Sequence, residues 1–81
     1  MNISPKNRFY AEMTFGRALE NIGSVVSAGG MTLEEVKHNL ELYASYGRKA
    51  KTTMTVVIRE NKAAYPKFDW VVVERFEEDA R

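Results

Sequence analysis

Apolar residues recur along this chain in two rhythms, one helical and one alternating. Between 33 and 46 the rhythm is helical: Leu33, Val36, Leu40 and Tyr43 recur at spacings of three, four and three, which draws one stripe along a helix. Thr32 can cap that helix, Glu35 completes a T-x-x-E capping box, and Met31 can staple against Val36. Gly47 suits a left-handed stop, and Arg48 and Lys49 beyond it complement the negative end of the helix dipole. Upstream, Phe15, Ala18, Leu19, Ile22, Val25 and Val26 draw a second helical stripe that ends at Gly29-Gly30. Two helices joined by so short a turn should pack as an antiparallel hairpin. Gly23 falls inside the first, where glycine costs about 1 kcal/mol relative to alanine.

Residues 8–15 admit two readings. The Ser4-Pro5 pair is a helix-start signal, but a helix extended back to it turns Phe9 and Met13 about 140° away from the later stripe. As a strand, Phe9, Ala11, Met13 and Phe15 alternate with Tyr10, Glu12 and Thr14, and this reading is preferred. The last third is β. Residues 52–58 and 68–75 are two β-branched, aromatic runs, and 61–67, with Pro66, joins them as a looped hairpin. Met54, Val56 and Ile58 share one face of the first run. Phe68, Trp70 and Val72 share one face of the second, with Val71 and Val73 on the other. The expected fold is α+β: a two-helix antiparallel hairpin on a small antiparallel sheet, in the order β-α-α-β-β if 8–15 is a strand. One domain should span 1–81, with flexible ends at 1–6 and 77–81.

Length narrows the choice further. Eighty-one residues allow one domain with a thin core and no cleft between lobes. No cysteine is present, so there is no disulfide framework, thiolate nucleophile or cysteine zinc site. Twelve basic and eleven acidic side chains leave a net charge of +1, which suits neither an acidic DNA mimic nor a histone-like binder. The first seven residues carry no apolar core of a signal peptide, and the longest apolar run is only 70–73. A cytoplasmic protein without membrane contact is the expectation.

Candidate chemistry is sparse. His38 shares a helix face with Glu34 and Glu41, but a metal site wants three or four ligands and none is signalled elsewhere, so the pattern reads as a solvated face. Ser4, Ser24, Ser27 and Ser45 lie in no nucleophile motif, and Gly29-Gly30 lacks the rest of a phosphate loop. The acids Glu74, Glu77, Glu78 and Asp79 read as a solvated tail. No catalytic residue, cofactor or metal is therefore expected.

Two surfaces remain. Tyr46, Arg48, Lys49 and Lys51, together with Tyr65 in the hairpin loop, are candidates for binding a partner. Val57, Val71 and Val73 would be wet in a monomer and, with Trp70, suggest a homo-oligomer built through the C-terminal strands. The favoured reading is a non-catalytic interaction module that binds an unknown protein, of the kind found among small accessory or inhibitor proteins of phages and mobile elements. The alternative is a nucleic-acid-binding regulator using the basic loop after the second helix. A small enzyme ranks third.

Overall fold

The computed structural model describes residues 7–64 and 66–81. Its elements run β1 (Phe9–Leu19), β2 (Gly23–Gly30), α1 (Leu33–Lys49), β3 (Thr53–Asn61) and β4 (Trp70–Asp79). The strands form one antiparallel sheet in the order β2-β1-β3-β4. The single helix crosses one face of it on the way from β2 to β3.

The expected two-helix hairpin is therefore wrong, and the order is β-β-α-β-β. Residues 15–30, read as a helix, are the end of β1, a tight turn and β2. The alternating reading of 8–15 is the correct one, and the alternation continues to Phe15 before the pairing with β2 loses its register. Asn21 at φ 65° and Gly23 at φ 88° turn the chain, and the Ile22 amide donates to the Leu19 carbonyl at 3.2 Å. Both residue types tolerate that left-handed backbone, and neither suits a helix interior. The helical spacing arose because Phe15, Leu19 and Val26 come from two paired strands and still reach one core.

α1 begins as its capping box requires: Thr32 Oγ1 accepts from the Glu35 amide at 3.0 Å. Met31 stays exposed, so it contributes little as a staple. The helix does not stop at Gly47 but continues to Lys49, and Lys51, at φ 55°, makes the turn into β3. Gly47 is buried within the helix, where a Cβ would collide with Met54 Sδ and lie 2.9 Å from Phe15 Cε1. Gly30 does the same at the other end, where a Cβ would lie 2.9 Å from the Val36 amide nitrogen. These two glycines let the helix lie close on the sheet.

The core lies between helix and sheet. Val36, Leu40 and Ala44 meet Ala11, Met13 and Phe15 of β1, Ala28 of β2, and Met54, Val56 and Ile58 of β3. The opposite face of the sheet has no second layer among the described residues and carries polar links instead. Tyr10 Oη donates to Glu12 Oε1 at 2.7 Å, and Arg59 lies 3.6 Å from Glu12. At one end of this face Trp70 packs edge-on to Tyr10 and stacks on Phe68, with centroids 6.0 and 6.2 Å apart.

Candidate functional site

One helix cannot cover four strands. A helix with its side chains is about 10–12 Å wide, whereas four strands about 4.8 Å apart span roughly 14 Å between outer axes. The backbone of α1 approaches β2, β1 and β3 but not β4. The helix-facing residues of β4, found by register with Ile58, Val56 and Met54, are Glu74, Phe76 and Glu78. They stand beside the helix rather than under it.

The result is a groove of about 470 Å³ between α1 and β4. Met13, Leu40, Ala44, Met54 and Val56 form an apolar floor, and the half-open ring of Phe76 forms one wall. Side chains span the gap that the backbones leave. At one end Lys37 Nζ donates to Glu74 Oε1 at 3.0 Å and lies 5.9 Å from the centre of the Phe76 ring. Glu74 Oε2 is buried and lies 2.7 Å from the same ammonium, so Lys37 faces both carboxylate oxygens. At the other end Arg48 grips Glu78 through Nε at 2.6 Å and Nη2 at 2.9 Å, and also pairs with Glu41. Hydrogen bonds to Glu78 and then Glu41 raise the Arg48 pKa, and the same contact holds the Glu78 carboxyl below its usual range. An apolar cleft closed at both ends by ion pairs can admit an apolar side chain while its rim meets charges of either sign.

Of these residues only Arg48 was a binding candidate from sequence: Lys37 and Phe76 gave no signal of their own, Glu41 read as part of a solvated helix face, and the expected solvated tail of Glu74 and Glu78 is instead the end of β4. A joint signal was present: Lys37, Glu41 and Arg48 lie on one flank of the helix, and Glu74, Phe76 and Glu78 alternate along β4. Nothing local says that these two rows face each other.

The other expected partner-binding residues fall elsewhere. Tyr46 and Lys49 line a shallow hollow of about 410 Å³ with Arg17, Leu19, Glu20, Asn21, Ile22 and Ala50. Arg17 Nη2 donates to the Ala50 carbonyl at 2.7 Å there, a basic neighbour the sequence did not suggest. Lys51 lies in the following turn, and among the described residues neither Lys49 nor Lys51 forms an ion pair. Tyr65 lies outside the described residues.

The expected oligomer residues are also separated. Val57 sits mid-sheet on the open face, opposite Arg75 and Glu12. Val71 pairs with Glu60 and so faces the helix side, while Trp70 and Val72 pair with Asn61 and Arg59 on the open side. Val73 is the extra residue where the register slips between Ile58 and Arg59, a β-bulge. β1 pairs with β2 and β3 and leaves the outer edge of β4 uncovered.

Among the described residues no three His, Asp or Glu side chains converge as a metal site, and no helix is long and apolar enough to cross a membrane. His38 is exposed on α1. Compared with known proteins, the chain matches no family model, no curated protein and no solved structure.

Proposed function

We propose that this chain is a non-catalytic interaction module whose α1–β4 groove receives an apolar side chain from a protein partner. The observation that carries the reading is the groove itself: an apolar floor left open because the helix covers only three strands. Its rim holds Lys37 and Arg48 against Glu41, Glu74 and Glu78, and both cations are already paired with those carboxylates. A rim with three carboxylates and both cations already paired favours a protein surface over a polyanion. A role as a small accessory or inhibitor protein of a phage or mobile element is compatible with this reading and rests on size and the lack of motifs alone.

A nucleic-acid-binding regulator is the second reading, and one observation favours it. Tyr46, Arg17, Lys49 and Lys51 gather around the end of α1, with both lysines outside any ion pair among the described residues. Stacking on the tyrosine with phosphates on the cations would be its chemistry.

Affinity capture from the producing cell, with bound proteins quantified by mass spectrometry, separates the two. The groove reading expects a protein that is retained by wild type and by Val72→Lys, on the open face, but lost with Phe76→Lys. Its retention should change little between 50 and 200 mM salt, since apolar docking is not screened. Binding of oligonucleotides that falls steeply over that salt range and vanishes in Lys49→Ser/Lys51→Ser would overturn it in favour of the second reading.

A further inference from the structure

The outer edge of β2 is the less defended of the two sheet edges. Its eight residues, Gly-Ser-Val-Val-Ser-Ala-Gly-Gly, include no charge and no proline, and its pairing with β1 is regular from Gly30 to Val25. Natural edges are ordinarily blunted by lysine, proline, a bulge or an inward charge, and β2 has none of these. Residues 23–25 are exposed, and Val25 is half-exposed on the open face. Beside this edge a hollow of about 260 Å³ is lined by Asn21, Ile22, Val25, Val26, Ser27 and Tyr43.

We infer that β2 pairs with β2 of a second copy, antiparallel across a two-fold axis normal to the sheet, to make an eight-stranded sheet with both helices on one side. Charge selects a second copy as the occupant. Every two-fold register along β2 sets only glycine, serine, valine and alanine opposite one another, so no repulsion arises. The same operation on the regular part of β4, residues 74–79, always opposes like charges. It sets Glu74 on itself or on Glu78, or Arg75, Glu77, Glu78 or Asp79 on itself, although two of these registers also oppose Arg75 to Glu77 or Asp79. The bulge at Val73 interrupts the remainder of that edge.

Helix geometry agrees. α1 lies mainly over β2 and β1. With strands about 4.8 Å apart, a helix centred between those two would stand roughly 10 Å from its symmetry mate, the usual spacing of packed helices, 8–10 Å. By helical angle, Asn39, Tyr43 and Tyr46 occupy the flank that would face the mate, opposite the flank of Lys37, Glu41 and Arg48. Asn39 already reaches that edge and occupies one of its outward carbonyls, donating to Gly29 at 2.9 Å, so the backbone groups open to a mate are those of Val25 and Ser27. This interface lies on the far side of the helix from the α1–β4 groove and does not depend on what the groove binds.

Analytical ultracentrifugation across low to high micromolar protein tests the inference, with circular dichroism to verify folding. Wild type should sediment as a dimer of the 9.3 kDa chain. Val25→Lys/Ser27→Lys, which puts four lysines near the axis, should raise the dissociation constant at least tenfold, while Val71→Lys/Val73→Lys leaves it unchanged. A conservative pair, Val25→Thr/Ser27→Thr, keeps β propensity without charge and should remain dimeric. A folded wild-type monomer at 500 µM would overturn the inference, as would a dimer that survives the β2 lysines or dissociates only with the β4 lysines.

Discussion

The two edge strands of this sheet differ in what lies over them and in what they are made of. β2 lies under α1 and is built of glycine, alanine, serine and valine; β4 lies beyond the reach of the helix and carries five charges in ten residues plus a bulge. The difference follows from coverage. A strand under a helix must stay small where the helix comes close, as Gly30 does against the Val36 amide. An uncovered strand must discourage additional pairing by itself, and charge with a bulge does so. The groove is the by-product: the inner face of β4 keeps Phe76, but the helix side chains that reach it are ionic.

If that division is right, the same kind of truncation should cost very different amounts on its two sides. Leu40, 3% exposed, anchors the helix and floors the groove. Leu40→Ala should destabilise by about 2–5 kcal/mol, the usual range for a buried leucine. Val72→Ala, on uncovered β4, should cost no more than about 0.5 kcal/mol. Urea unfolding of both variants measures the contrast. Equal losses would mean that β4 is covered in solution, by a partner copy or otherwise.

A second contrast concerns how each edge is attached. β2 is tied to β1 by a turn of Glu20, Asn21 and Ile22, whereas β4 follows a loop organised by one buried side chain. Asn61 Oδ1 accepts from the Ala63 amide at 3.1 Å and the Asp69 amide at 2.8 Å, and Nδ2 donates to the Lys67 carbonyl at 3.1 Å. Asn61→Ala leaves those backbone groups without their partner and should cost about 2 kcal/mol. Hydrogen exchange should then rise first in β4, because the loop leads directly into that strand and the helix does not lie over it. Protection lost evenly across all four strands would count against a loop that secures one edge.

Gly47→Ala probes the close approach of the helix. Alanine is the better helix former by about 1 kcal/mol. The new Cβ, however, must displace Met54 or Phe15, both almost fully buried, and overpacking of this kind costs about 1–3 kcal/mol. A net loss of about 1 kcal/mol is expected, read from the urea midpoint. A gain in stability would show that Met54 can turn aside into the groove, joining the helix seat and the groove into one adjustable cavity.

These contrasts also explain what could be read from the chain beforehand. α1 was legible because its signals are local: Thr32, Glu35 and the spacing of Leu33, Val36, Leu40 and Tyr43 all act within a few turns. β3 and β4 were legible from their β-branched runs. The β1–β2 hairpin was not, and the reason is physical. Its core positions on β2 are Val26, Ala28 and Gly30, shrunk so that the helix can approach, and residues that small make no visible alternation. Gly23, an awkward residue for a helix, was the remaining clue. The groove was illegible for another reason: Lys37 and Glu74, like Arg48 and Glu78, meet only once the whole sheet has assembled.

The smallest expected effect belongs to the ion pair that closes the groove at Arg48. Exposed pairs of this kind add little to stability at neutral pH, so its contribution is best read from pH dependence. The Arg48 contact holds the Glu78 carboxyl below its usual range, and hydrogen bonds from Lys62 and then Arg8 do the same for Glu60. Arg81 draws Asp79 down to about 2. A carboxyl whose pKa is lower folded than unfolded binds fewer protons in the folded state. Its stabilisation is full above the unfolded value, about 4, and is lost as pH falls through the folded value. Wild type should therefore hold a level melting temperature from pH 7 to about 5 and then decline toward pH 2. Arg48→Met releases Glu78, and Glu41 with it, so the decline should become shallower below pH 4.5, with a melting temperature slightly below wild type at pH 7 that converges on it toward pH 2. Arg81→Met should remove the contribution of Asp79, which is spread between about pH 4 and pH 2, and leave those of Glu78 and Glu60. An acid limb of unchanged steepness in Arg48→Met would mean that Arg48 and Glu78 do not meet in solution, and that the groove is open at that end.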